Sequence, residues 1–249
     1  MKRFVTHSFL ITLCLMGIAV HADVAGEKKK TLLAEVKRLA VAPIFFSSST
    51  LFKAEEQKRA AVPGSSDKKK PQTEMERYRA QLRSLEMDAN QCLPARTTAR
   101  TPYTIVSEEK VDSALKELKF TPQMLFQNRG KMKNGKFPLP DPAAVRKFCA
   151  FLHVDAVIMG TMDEPRRTNG QYFLDPSGLN YDSAHVETKS GMFVMRADGS
   201  EVLHDYIETL HPLTKRRDKD FVLVDWREST ELMMEDFLDE VCRYAPAKQ

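Results

Sequence analysis

Three short apolar runs, separated by stretches of helical periodicity, constrain this chain more than any other feature. Leu39-Ala-Val-Ala-Pro-Ile44, Tyr103-Thr-Ile-Val106 and Ala156-Val-Ile-Met-Gly-Thr161 have the length and bounding residues of buried strands. Strands separated by helices pair most economically in parallel, through right-handed crossovers, so three parallel strands are implied. After the third run, a polar loop from Asp163 to Asp182 precedes two stretches, His185 to Met195 and Glu201 to Leu210. These flank Arg196-Ala-Asp-Gly-Ser200, whose Asp198-Gly199 pair supplies the positive backbone angles of a tight hairpin. The predicted fold is α/β: a mixed sheet of about five strands, a parallel part plus an antiparallel C-terminal hairpin, flanked by helices.

The helices have readable starts. Ser107 caps a helix through Leu118 with Val111, Ala114, Leu115 and Leu118 as its apolar positions. Thr121-Pro122 opens a small helix that stops near Gly130, and Asp141-Pro142 opens one from Ala143 to Leu152. Asp225 and Glu228 form a capping box for a long last helix carrying Trp226, Met233, Met234, Phe237, Leu238, Val241 and Tyr244 on one side. Between strand one and Arg100 lies a helical insert at about 47–100. A helix fits Leu51 to Ala61, and Pro63 to Pro71 is polar and rich in turn formers. Thr73 with Glu76 then reads as a capping box for an amphipathic helix over 74–89, with Met75, Tyr78, Leu82, Leu85 and Ala89 in its stripe. That stripe packs on its own domain or meets a partner.

The amino terminus sets the address. Lys2 and Arg3 precede an apolar run from Phe9 to Val20, shorter than the ~20 residues of a membrane span, and Ala22 offers a small residue for a peptidase. Residues 1–22 read as a cleaved signal peptide, with an uncleaved anchor as the alternative, and 23–249 as a single periplasmic domain. Losing Lys2 and Arg3 lowers the formal charge from +4 to +2, a near-neutrality that argues against nucleic acid as a partner. The basic clusters at Lys28–Lys30, Lys68–Lys70, Arg166-Arg167 and Lys215–Arg217 fall in stretches that read as linkers or loops. Three cysteines remain. Cys149 belongs to the apolar row Val145, Phe148, Cys149, Leu152, which leaves Cys92 and Cys242 as a possible disulfide.

The order strand, helical insert, strand, helices, strand, hairpin, final helix resembles the periplasmic α/β module of the TolB amino-terminal domain, of the curli secretion lipoprotein CsgG and of LpoB-type activators of peptidoglycan synthases. Leu39–Ile44, Tyr103–Ser107 leading into Val111–Leu118, Phe151–Gly160 and Met195–Leu203 carry the resemblance. It implies a non-enzymatic scaffold that docks on envelope proteins. The chain departs from that pattern in its long insert, in having no propeller after the module, and at Cys14, where Leu13 is too bulky for lipoprotein processing.

Catalytic chemistry finds little footing. His185, His204 and His211 lie in or beside the hairpin, but His204 and His211 are seven apart and Pro212 ends the strand, so no metal site is assigned. Asp175–Asp182 lacks the alternating acids and distal glutamate of a calcium loop. Ser47–Ser49 and Ser65-Ser66 lack a nucleophile elbow, and no glycine-rich phosphate loop, CxxC or HExxH occurs. No cofactor is called for.

The expectation is a non-catalytic periplasmic interaction or accessory protein of an envelope or surface-assembly and secretion system. Its partners would be envelope proteins, with peripheral association at a membrane left open. Arg166, Arg167, Tyr172, Phe173 and Tyr181, with Tyr78 and Leu82 of the insert helix, are the candidate contacts, because arginine and aromatic side chains anchor interfaces. The alternative is a periplasmic carrier or sensor of a small or lipidic ligand held between the sheet and the Met-rich last helix. A hydrolase would instead need a buried polar cluster.

Overall fold

The run from Ala156 to Met162 is buried at every position, and the sheet is assembled on it. The computed structural model describes residues 26–47, 69–131, 136–163, 166–173, 180–212 and 221–248. In chain order its elements are a helix over 26–34 (α1), β1 (Arg38–Val41), β2 (Phe45–Phe46), α2 (Lys69–Arg100), β3 (Thr104–Ile105) and α3 (Glu108–Glu117). Two 3-10 turns, Pro122–Leu125 and Gln127–Gly130, lead to α4 (Pro142–Leu152), β4 (Ala156–Met162), β5 (Arg166–Phe173), β6 (Asn180–Arg196), β7 (Glu201–Pro212) and α5 (Phe221–Tyr244). The signal segment, the expected helix over 51–61 and most of the Asp175–Asp182 loop lie outside the described residues.

The sheet is mixed and contains seven described strands. Its parallel part is β3-β1-β4, as the three runs predict, with Arg38 opposite Thr104 and Leu39 opposite Ala156. Period-two alternation sends Ala156, Ile158 and Met162 into one core layer and Val157 and Met159 into the other. The first layer lies under α1, α2 and α5 and the second under α3 and α4, which gives helix, sheet, helix.

Strand one is interrupted. Leu39 to Val41 pair with Ala156 to Ile158 and Phe45-Phe46 with Thr161-Met162, so the segment from β1 to β2 carries one more residue than β4 across the break. Pro43, which has no N–H to give to a ladder, sits in that break.

β6 is the hub of the antiparallel part. Ser190–Arg196 pair with β4 and Asn180–Glu187 with β5, while β7 pairs with His185–Met195. A strand has two edges, and the β7 ladder overlaps both others. Hence β4 and β5 run end to end along one edge of β6 and β7 runs along the opposite one. The stretch expected to be a loop from Asp163 to Asp182 is thus largely a hairpin of β5 and β6. Its polar composition hid the alternation, because a ribbon need not bury either face against the core.

Some helix boundaries also differ. α2 begins at Lys69, before Thr73, and runs through Pro94 to Arg100; α5 begins at Phe221, before Asp225. Both capping-box spacings therefore fall inside a helix rather than at its start. The extension of α2 past Ala89 is held by tertiary contacts, with Leu93 and Thr97 buried. Asp141 does cap α4, its Oδ1 accepting from the amides of Ala143 (2.9 Å) and Ala144 (3.2 Å). Ser107 stands at the N-cap of α3 without a side-chain cap bond, and the expected helix from Thr121 is two 3-10 turns, with Thr121 likewise giving no cap bond.

The β6–β7 turn differs in detail. Only Gly199 has positive φ (+81°), and Asp198 instead accepts from the amide and hydroxyl of Ser200 at 2.8 and 2.5 Å. A Cβ at Gly199 would lie 2.8 Å from the Pro142 carbonyl, so this turn rests directly on the start of α4.

Candidate functional site

Three surfaces compete for the role of contact site, and the helical seam between α2 and α5 is the most fully built. Asp88 pairs with Arg227 (2.6 Å), Arg96 with Glu231 (3.2 Å) and Glu235, and Arg100 with Glu235 (2.5 Å) and Asp239. Positions rise together on both helices, so α2 and α5 run parallel. Each pair is partly exposed and contributes below about 1 kcal/mol, so the ladder fixes the register of the helices more than their affinity. Beneath it, Leu85, Ala89 and Leu93 of α2 and Met233, Met234, Phe237, Leu238 and Val241 of α5 are buried. Complete burial of a side chain of this size is worth about 1.5–3 kcal/mol. The insert stripe, where its side chains are described, therefore packs on its own domain. A shallow groove of about 10 Å³ beside the seam, room for a single water, is lined by Leu85, Asp88, Cys92, Arg227, Glu231 and Met234. It is smaller than the ~300–1,000 Å³ of ordinary ligand pockets. The layer between sheet and α5, where the alternative reading places a carried ligand, holds Met233, Met234, Phe237, Leu238 and Val241 of α5.

The parallel register also corrects the disulfide. Cys92 is level with about Glu231, whereas the Cys242 thiol reaches the Arg100 carbonyl (3.7 Å). The two cysteines are some ten positions out of step, about 15 Å of helix rise, when a disulfide needs Cα atoms within about 7 Å. Both are free thiols, as is Cys149. Burial pushes the Cys149 thiol up to about 12 and raises Cys242 as well. Cys149 is thus a packed, protonated side chain rather than a nucleophile.

α2 also reaches across to the sheet. Asn90 Oδ1 accepts from the Ile44 amide at 2.6 Å and its Nδ2 donates to the Ile44 carbonyl at 3.0 Å. The backbone groups that turn away from β4 beside Pro43 are satisfied by this one amide. A lone asparagine in a helical stripe gave no sequence signal for it.

The second surface is the end of the fold where β4 gives way to β5. The β7 ladder stops at His185 opposite Pro212, so among the described residues Asn169–Phe173 and Asn180–Ala184 pair only with each other. They form a two-stranded ribbon of five residue pairs, about 17 Å long. Arg166, Arg167, Tyr172 and Phe173 lie on β5 and Tyr181 on β6, with Tyr172 directly opposite Tyr181 and Arg166 opposite Glu187. α2 starts at this same end. Extrapolating from the Asp88–Arg227 pair sets Phe221 level with Leu82, so residues 69–81, about 20 Å of helix, extend past the start of α5. Tyr78 lies in that extension and Leu82, half-buried, at its base. The two sets of residues singled out from the sequence thus occupy elements that leave the fold at one end.

The third surface was not anticipated. α3 and α4 cover the parallel strands, whereas His204, Tyr206 and Glu208 of β7 are exposed on that face. Tyr206, half of its surface open, stacks on Phe137 (6.0 Å) and meets Phe193 edge-on (6.1 Å). Phe137 reaches the sheet because Gly191, opposite Tyr206, has no side chain; a Cβ there would lie 3.1 Å from the Phe137 Cβ. Partial burial raises the Tyr206 hydroxyl.

Chemical groups are used structurally. Ser229 Oγ donates to Thr188 Oγ1 (2.8 Å) between α5 and β6, and the buried Thr161 and Ser190 hydroxyls have no partner among the described residues. His204 bonds Glu201, and among the described residues no group of three His, Cys, Asp or Glu side chains is placed to hold a metal. No described helix is long and apolar enough to cross a membrane.

No protein-family model matches the chain, and no curated relative matches it. Among solved structures it is similar to the hypothetical protein CT253 from Chlamydia trachomatis, at 9% identity and TM-score 0.40 over 84% of this chain and 97% of that one. It is similar to lipoprotein GNA1162 from Neisseria meningitidis, at 8% identity and TM-score 0.35 over 82% and 97%. LpoB from Escherichia coli, of a kind already named from the sequence, follows at 10% identity and TM-score 0.34 over 74% and 65%. Likenesses this distant are of outline, and no residue takes a role from them.

Proposed function

We propose that this chain is a non-catalytic contact protein of the bacterial envelope, exported by residues 1–22 and acting in the periplasm as an accessory to an assembly or secretion machine. Its partner is an envelope protein, which it meets through the β5–β6 ribbon and the first turns of α2. One observation carries the reading: these two elements, marked from the sequence by Arg166, Arg167, Tyr172, Phe173, Tyr181 and Tyr78, leave the fold at the same end. An extended ribbon and a helix side by side present main-chain edges and long side chains to a partner without disturbing the core. The seam between α2 and α5 is already satisfied internally and has little to offer one.

The test is crosslinking of the tagged chain in intact cells of its native bacterium. A protein recovered with wild type and lost with Arg166→Ala/Tyr172→Ala supports the reading. Recovery unchanged by that variant, or an extractable apolar molecule in place of any protein, overturns it. The mass of the purified chain reports separately on removal of residues 1–22.

A further inference from the structure

The sheet ends on an edge that is unusually well formed for one left open. β7 runs twelve residues, about 40 Å, and among the described strands it pairs only with β6. Natural edges are blunted by short length, proline, lysine or a bulge. Here Pro212 comes at the last position, the one register irregularity lies at the opposite end between Val194 and Met195, and the strand has no lysine, its charged residues being the acids Glu201, Asp205 and Glu208. Leu203 and Ile207 are buried toward α5, and His204, Tyr206 and Glu208 form the outward row.

We infer that β7 is the pairing edge for a second copy of this chain, joined antiparallel about a twofold axis at Tyr206. In such a pair, directly opposite residues share a face and their positions sum to a constant. Centring on Tyr206 sets each Tyr206 against the other and sets each His204 against the partner copy's Glu208. Shifting the centre to Asp205 sets two carboxylates face to face, and shifting it to Ile207 sets Tyr206 against Glu208. The strand thus sets a hydrogen-bonding imidazole against a carboxylate in the register that also stacks its exposed tyrosines. The outward row is held ready for this: His204 is oriented by Glu201, Glu208 by Lys189 (3.2 Å) across the β6 ladder, and Tyr206 by Phe137. The result is one continuous sheet through both copies. It does not depend on the ribbon, which lies at another part of the fold.

Sedimentation of the purified chain over a range of concentrations tests this. Wild type is expected to pass reversibly from monomer to dimer. Tyr206→Lys sets two ammonium groups opposite each other and weakens the dimer about tenfold or more. His204→Glu weakens it too, and the exchange His204→Glu/Glu208→His restores it; Met87→Lys, at an exposed position on α2, leaves it unchanged. Circular dichroism identifies any variant that fails to fold, and the exchange variant then decides. A monomer at every concentration overturns the inference, as does a dimer indifferent to Tyr206→Lys and His204→Glu.

Discussion

The parallel and antiparallel halves of this sheet are built under different constraints. β1 and β4 lie between two helical layers, and the residues of β4 are buried without exception. β7 has one face on α5 and the other open along His204, Tyr206 and Glu208, and β5 continues past the body of the sheet as half of a ribbon. A strand covered on both faces can do little except pack. A strand covered on one face, or paired on one edge, keeps main-chain groups and a row of side chains for something else. Stability therefore concentrates in the first half, and the proposed contacts belong to the second.

The sharpest way to break that division is to truncate one aromatic residue in each half. Phe148 of α4 is fully buried against the parallel strands, and Phe148→Ala is expected to cost about 3–5 kcal/mol, transfer and cavity together. Tyr206→Ala, which loses a stacked contact on an exposed face, is expected to cost about 1 kcal/mol. Urea denaturation midpoints measure both. Equal losses would mean that the open face carries as much of the fold as the closed one.

The same division explains what could be read from the sequence. The buried strands were legible because an element covered on both faces has to be largely apolar, and Leu39–Val41 and Ala156–Met159 are wholly so. The Asp141-Pro142 start was legible because a carboxylate and a fixed φ do one job there. The ribbon was not, since Arg166–Phe173 carries no apolar period: its pairing comes from the β6 ladder and not from burial. Thr73/Glu76 and Asp225/Glu228 misled because local spacing cannot tell a helix start from its interior. Of the candidate contacts, the residues could be named but not the pairing that sets Tyr172 opposite Tyr181, which comes from the β5–β6 ladder. Phe137 and Tyr206, nearly seventy residues apart, are joined only through Gly191.

A test of what holds the closed half to its helical cover is Asn90→Ala. Ile44 is fully buried, and the substitution leaves its amide and carbonyl without the Asn90 partners at 2.6 and 3.0 Å. Stranding a buried backbone group costs about 1–3 kcal/mol, so the loss should fall between those of Phe148→Ala and Tyr206→Ala. Amide exchange reports the site directly: the Ile44 amide should lose its protection while those of β4 keep theirs. An unchanged Ile44 amide would mean that water or a shifted backbone replaces the side chain, and that the break at Pro43 needs no clamp.

The smallest expected effect lies where the two halves meet. Asp155 Oδ2 accepts from the amides of Lys37 (2.9 Å) and Arg38 (2.8 Å) at the start of β1, while its own carbonyl takes the amide of Ala197 (2.8 Å) in the β6–β7 turn. The Arg38 and then the Lys37 amide favour the charged carboxylate and hold its pKa below the usual range. The folded state thus binds this proton less readily than the unfolded chain does. The resulting stability is fully present above the unfolded pKa of about 3.9 and is lost as pH falls through the lower, folded value. The side chain is solvent-exposed, which holds Asp155→Ala to about 0.5 kcal/mol at neutral pH. Urea midpoints of wild type and Asp155→Ala should therefore differ at neutral pH and converge as the medium is acidified below that range. A gap that persists in acid would show that Asp155 acts through packing, and that the junction between the halves is held by the backbone bonds alone.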